Sequence, residues 1–159
     1  MPIPREIIDS LESILGIFFS DIRHRTRAAF ILCDEMVEMT CKLRAREANH
    51  RFDMSANFHN SITAPGVSPL PAPLESSIRG NRNTMNTMQH ASAAVTVDDQ
   101  HCADAFLDAI QVIDHCWPTS SSVVFPLWIK CAIRVVRLYS GQGNPRQRVD
   151  FEDRMRDSS

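Results

Sequence analysis

The sequence contains no long apolar run. No window of the chain approaches the roughly 18 uninterrupted apolar residues that a membrane-spanning helix needs, so we expect no span. The start, Met-Pro-Ile-Pro-Arg-Glu, lacks the basic-then-apolar layout of a secretory signal. The five cysteines are odd in number and include no Cys-x-x-Cys pair, which is typical of reduced thiols. We therefore expect a cytoplasmic protein without membrane contact.

Several catalytic motifs are also missing from the sequence. It has no glycine-rich phosphate loop, no Gly-x-Ser-x-Gly elbow and no His-Glu-x-x-His. The best zinc candidates, His101-Cys102 and His115-Cys116, are 14 positions apart on one predicted helix, about 21 Å by helical rise. A single ion cannot bridge that distance, and Asp98-Asp99 fits a helix cap better than a magnesium site. We expect no metal and no cofactor.

The charges are nearly balanced. There are 17 Lys and Arg against 19 Asp and Glu, so the net charge of -2 gives no global attraction to nucleic acid. Any phosphate binding must come from a local cluster of arginines, which suit bidentate phosphate contacts. The apolar fraction of 43% is that of a globular protein.

Glycine and proline are scarce in the first third of the chain. From Arg5 to Ala64 there is one glycine and no proline, which favours nearly continuous helix. A first amphipathic helix ends near Phe18, Ser20 and Asp21 are the candidate cap of the next, and a long second helix ends near His50. Its apolar side carries Ala28, Ala29, Leu32, Met36, Met39 and Leu43. Its expected solvent-facing side carries Arg27, Asp34, Glu35, Glu38, Lys42 and Arg46.

The remaining segments complete an all-α pattern. Residues 65–73 contain four prolines and form an extended connection. A third helix runs from Glu75 to Ala93, and a fourth, capped by Thr96 or Asp98, ends at Trp117-Pro118 before a turn at 119–122. The last helix runs from 124 to 139. The buried stripe of the fourth helix is Ala103, Phe106, Ile110, Ile113 and Trp117, and that of the last is Trp128, Cys131, Ala132, Val135 and Leu138. We predict one domain over 1–140, a bundle of about five helices, and a charged, mobile tail over 141–159.

One polar stripe on the third helix has residue types that suit chemistry on phosphates. Arg82, Asn86 and His90 are spaced four apart, and Gln89 precedes His90, so the four side chains fall within an arc of about 100°. An arginine can bind phosphate and an imidazole can transfer protons near neutral pH. The alternative interpretation is a solvated polar face.

The surroundings of this stripe resemble the HEPN superfamily, small helical bundles of prokaryotic toxin and antiviral systems. A long early helix with Arg27, Glu35 and Glu38 precedes a loop, and Asn86-Thr87-Met88-Gln89-His90 is similar to the family's Arg-Asn-x-x-Gln-His motif. A capped helix from Val97 to Ile113 follows. The resemblance covers roughly Arg23 to Tyr139.

The resemblance implies a metal-independent endoribonuclease whose site forms at a homodimer interface. In that interpretation His90 and Arg82 are catalytic, and Asn86, Gln89 and Arg79 contact the RNA. The partners would be a second copy, RNA, and a cognate antitoxin or defence-complex protein.

The sequence departs from the motif at Met85, where the family has arginine. Arg82 lies one turn earlier, about 12 Å along the axis from His90. Either Arg82 replaces the lost group, or the chain is a catalytically inactive subunit that binds a protein partner. An unrelated helical bundle is a third alternative. Arg44 and His50 also match the loose spacing, but a charged helix end explains them.

Two structural expectations follow. Phe18 and Phe19, beside Ile14 and Ile17, give the first helix more apolar surface than one edge of a bundle needs. We expect part of it, or the Arg82–His90 face, to be buried in a homodimer. Met85 and Met88 should point into the bundle, while Asn86 and His90 reach a groove or an interface.

Overall fold

The computed structural model describes residues 3–91, 95–118, 125–141 and 144–157. These ranges contain seven helices and no strand, which confirms the all-α class. The helices are α1 (Arg5–Phe18), α2 (Arg25–Ala48), α3 (Phe58–Ile62), α4 (Ala72–Ala91), α5 (Asp99–Cys116), α6 (Leu127–Tyr139) and α7 (Pro145–Asp157). No helix in these ranges is long and apolar enough to cross a membrane.

Helix α2 is the centre of the bundle. It packs most extensively against α5 and also contacts α1, α3 and α4, while α6 packs on α5 and α7 on α6. The apolar side of α1 is buried, with Ile7, Ile8, Leu11, Ile14, Leu15 and Phe18. The five residues predicted to be buried in the fourth helix are also buried, whereas Phe19, just after α1, is 42% exposed. Of the two predicted caps, Asp98 is the N-cap of α5, where its side chain accepts a hydrogen bond from the His101 backbone N–H at 2.7 Å. The 3.6-residue period therefore predicted these faces correctly.

The sequence prediction for α2 needs three corrections. Of its predicted apolar side only Ala29 and Met36 are buried and Ala28 is exposed, while the buried residues also include Phe30, Cys33, Val37, Cys41 and Ala45. The helix begins at Arg25, after His24 in a left-handed conformation (φ 62°), so Ser20 and Asp21 do not cap it. Asp34, predicted to face solvent, is buried. The reason is that α2 contacts helices on several sides, and α4 covers the side on which Asp34 lies.

The predicted buried stripe of α6 is wrong at two of its five residues, and the other three, Ala132, Val135 and Leu138, are only half-buried. Trp128 and Cys131 are exposed, and the buried residues of this helix are Ile129, Ile133 and Val136. Moving the stripe by one residue rotates it by 100°. Both sets recur at helical spacing, so α6 has two apolar faces, and the one with Ile129 and Ile133 faces the core.

The proline-rich connection is anchored at two points. His115 contacts the Val67 carbonyl through Nε2 at 2.7 Å. Gly66 has φ 97° and lies against the end of α2, where a Cβ atom would approach Ala48 Cβ to 2.7 Å. These contacts fix the path of the chain into α4.

The tail contains a helix that the sequence analysis did not predict, α7, which has no buried residue. The expected mobility of the tail remains a prediction. The predicted turn at 119–122, the residues 92–93 assigned to the third helix and residue 124 assigned to the last lie outside the described residues.

Candidate functional site

The polar stripe lies on the outer side of α4. Met85 and Met88 point into the bundle, as predicted, because the apolar side of α4 packs on α2 and α5. Asn86, Gln89 and His90 are exposed near the C-terminal end of the helix. The structure thus brings these three residues together on one surface, where they can form hydrogen bonds with an approaching molecule.

Arg82 does not join this surface. Its Nη2 atom lies 2.8 Å from Asp34 Oδ2 and 3.4 Å from Glu38 Oε2, both on α2. Its guanidinium also stacks over the Phe58 ring, 4.2 Å from the centroid. The side chain is 19% exposed. Arg82 is therefore directed toward α2 and α3 and not along α4 toward His90.

The Arg82 contacts compensate a buried charge. The side chain of Asp34 is only 2% exposed. Burial raises the pKa of Asp34, while the positive charge of Arg82 opposes that rise and Glu38 adds to it. Burial of a carboxylate without a neighbouring cation is unfavourable in free energy. The chief role of Arg82 is therefore to stabilise the packing of α4 against α2.

Arg79, predicted to contact RNA, also has partners within the chain. It pairs with Glu75 at 3.5 Å and contacts His59 Nδ1 on α3 at 3.1 Å. Arg79 lies about three turns before His90 on α4, so its contacts are far from the end of the helix that carries His90.

The sequence analysis missed a different arginine, which contacts the C-terminal part of α4. Arg27 of α2 donates from Nη2 to the Met88 carbonyl at 3.0 Å, so its guanidinium lies beside the last turns of α4. A groove of about 460 Å³ lies here, and its lining includes His24, Arg27, Met88 and Thr96. Arg27 and Met88 are 61 positions apart, so no local pattern in the sequence connects them.

The metal and thiol candidates have structural roles. His101 packs edge-on against the Phe30 ring, with 5.0 Å between centroids, while His115 anchors the connection described above. In the part of the chain that the structure describes, no group of three His, Cys, Asp or Glu side chains is placed to hold a metal ion. A hydrogen bond with Cys102 and burial raise the pKa of Cys33, and Cys116 and burial do the same for Cys41. Neither Cys33 nor Cys41 is set up as a thiolate nucleophile.

In comparisons with known proteins, no family model, curated protein or solved structure matches this chain.

Proposed function

We propose that this chain is a HEPN-like protein of a prokaryotic defence or toxin module that acts by binding a protein partner and does not cleave RNA. The observation that carries the proposal is the position of Arg82, bound to buried Asp34 at 2.8 Å. Met85, at the position where the resemblance expects arginine, is in the core. No guanidinium of α4 is therefore available to a phosphate beside His90.

Cleavage of an RNA phosphodiester needs more than a base. An imidazole can take the proton of the 2′-hydroxyl, but charge then grows on the phosphate and must be stabilised by preorganised donors. Loss of one such donor typically costs about 2.7–4 kcal/mol in the transition state. His90 lies on an open, solvated helix face and could act as the base. Its own helix supplies no donor that would stabilise the charge on the phosphate.

The same surface is suited to recognition. Asn86 and Gln89 offer amide donors and acceptors, and His90 adds ring nitrogens that can donate or accept hydrogen bonds. Such a polar surface, beside the groove of His24 and Arg27, fits the wet and polar rim of a protein interface. We include self-association in the proposal, and the unpaired, widely spaced cysteines support a cytoplasmic location.

A second candidate function is endoribonuclease activity with Arg27 in the role of the missing arginine. The 3.0 Å contact between Arg27 Nη2 and the Met88 carbonyl favours it, because it places a cation at the C-terminal end of α4, the helix that carries His90. In this candidate, His90 transfers the proton and Arg27 stabilises the phosphate, without metal.

One assay separates the two candidates. Purified wild type, His90→Ala, Arg27→Gln and the control Arg79→Gln are incubated with single-stranded RNA in the presence of a chelator. Binding without cleavage predicts that all four proteins are equally inert. Cleavage by wild type and Arg79→Gln that is lost in His90→Ala and Arg27→Gln would overturn the first candidate in favour of the second. Cleavage by His90→Ala would overturn both.

Binding has its own positive test. Sedimentation of wild type and of Asn86→Asp/His90→Glu, which places negative charge on the stripe, compares their self-association. We expect wild type to associate at tens of micromolar and the variant to dissociate, because like charges would face each other across a symmetric contact. A monomeric wild type would remove the homodimer from the proposal.

The structure also bears on the effect of restoring the motif arginine at position 85. Met85 is buried, so Met85→Arg would place a charge in the core without a partner. We expect that substitution to destabilise the bundle and not to restore a phosphate contact.

A further inference from the structure

Helix α6 carries two exposed arginines. The helix contains no acidic residue, and Arg134 and Arg137 lie three positions apart, on neighbouring turns. Both residues are exposed, and within residues 3–91, 95–118, 125–141 and 144–157 neither guanidinium has an ion pair or a hydrogen bond. Arg25 and Arg82, by contrast, bind carboxylates directly. Two neighbouring guanidinium groups repel each other, so an anion between them would be stabilising.

These arginines line a cavity of about 540 Å³ between α5, α6 and the start of α7. The apolar part of its lining comes from Leu107, Ile110 and Leu138. The polar part includes the amide groups of Gln111 and Gln147. A cavity of this size, with an apolar surface and a few polar groups, has the form of a small-molecule site.

We propose that this cavity binds a small phosphomonoester whose organic body covers the apolar lining. A phosphate dianion has three oxygens and can accept charge-assisted hydrogen bonds from both arginines at once. A single carboxylate is already satisfied by one guanidinium, so the pair of arginines favours phosphate. None of the lining residues belongs to α4, and the proposal is independent of the function assigned to the His90 surface.

Asp114 also lines the cavity and restricts how a ligand lies in it. Its carboxylate repels a phosphate and accepts hydrogen bonds from hydroxyl or amino groups. The phosphate is therefore expected at Arg134 and Arg137, with any donor groups of the organic body turned toward Asp114. A bare phosphate would leave the exposed surface of Leu107 and Leu138 in water and bind more weakly.

The test uses the full chain with phenyl phosphate as the probe, and with inorganic phosphate and benzoate as comparisons, followed by calorimetric titration. We expect saturable one-to-one binding of phenyl phosphate, about tenfold or more tighter than either comparison anion. Arg134→Gln and Arg137→Gln should each weaken it by about tenfold or more, since each removes a charge-assisted contact. The matched control is Arg146→Gln, an exposed arginine of α7 that does not line the cavity.

Each other outcome contradicts the proposal in a distinct way. Equal binding of benzoate and phenyl phosphate would show that the site does not select phosphate. If Arg146→Gln weakened phenyl phosphate binding as much as Arg134→Gln or Arg137→Gln, the binding would reflect general electrostatic attraction and not this cavity. Absence of saturation at millimolar phenyl phosphate, with circular dichroism confirming folded protein, would show that there is no site.

Discussion

Replacing Arg82 by methionine should destabilise the bundle strongly. The substitution keeps an apolar stem of similar length but removes the cation 2.8 Å from Asp34, whose side chain is 2% exposed. Breaking a buried ion pair by removal of one partner typically costs about 3–5 kcal/mol, because the remaining charge has no compensation. The stacking on Phe58, 4.2 Å from the ring centroid, adds a further loss. Urea denaturation monitored by far-ultraviolet circular dichroism measures the change in the free energy of unfolding.

The size of this loss should depend on pH in a defined direction. The pKa of Asp34 is raised in the folded protein, chiefly by burial, while Arg82 opposes the rise. A raised pKa gives a stabilisation that is fully present below the unfolded pKa of about 3.9 and is lost as the pH rises through the folded pKa. Without Arg82 the folded pKa rises further, so the deficit of Arg82→Met should be smallest at about pH 4 and largest at about pH 8.

Two further variants decide whether this reasoning holds. Arg79→Met, on the same helix, removes a half-exposed contact with Glu75 and should cost no more than about 1 kcal/mol. The double variant Asp34→Leu/Arg82→Met should recover most of the stability, because no buried charge remains. The reasoning is refuted if Arg82→Met costs no more than Arg79→Met, or if its deficit does not grow with pH.

Two other predictions concern burial. On α6, Trp128→Ser should change the free energy of unfolding by less than about 0.5 kcal/mol. In the same urea titration, Ile133→Ala should lower it by about 2–5 kcal/mol. A larger loss for Trp128→Ser than for Ile133→Ala would show that the face predicted from the sequence is the buried one. With a coloured disulfide reagent, Cys131 should react rapidly in the native protein, because it is exposed while the other four cysteines are buried; rapid reaction of several thiols would contradict this packing.

The sequence correctly predicted the buried side of a helix where the helix has a single apolar face. The stripe of Phe106, Ile110 and Ile113 was identified because α5 has a single apolar face. On α6 the same rule chose the wrong face, because Trp128 and Ile129 each begin an apolar stripe and only the packing of α5 distinguishes them. Periodicity predicts that a helix is amphipathic and does not always predict which side is buried.

The candidate site shows a second limit of prediction from the sequence. Asn86 and His90 share a surface as the helical spacing predicted, since they are neighbours on one helix. The partners of the arginines were not predictable, because Arg82 meets Glu38 across 44 positions and Arg27 meets Met88 across 61. Only the packing of α2 against α4 determines that Arg82 binds Asp34 and that Arg27 binds the Met88 carbonyl.

The absence of a side chain at Gly66 has a consequence for how related sequences should vary. A methyl group there would collide with Ala48 at the end of α2 and would also require a strained backbone at φ 97°. Substitution at position 66 would push the connection off α2 and shift the start of α4. Glycine should therefore persist at this position in homologues whose loop has otherwise diverged.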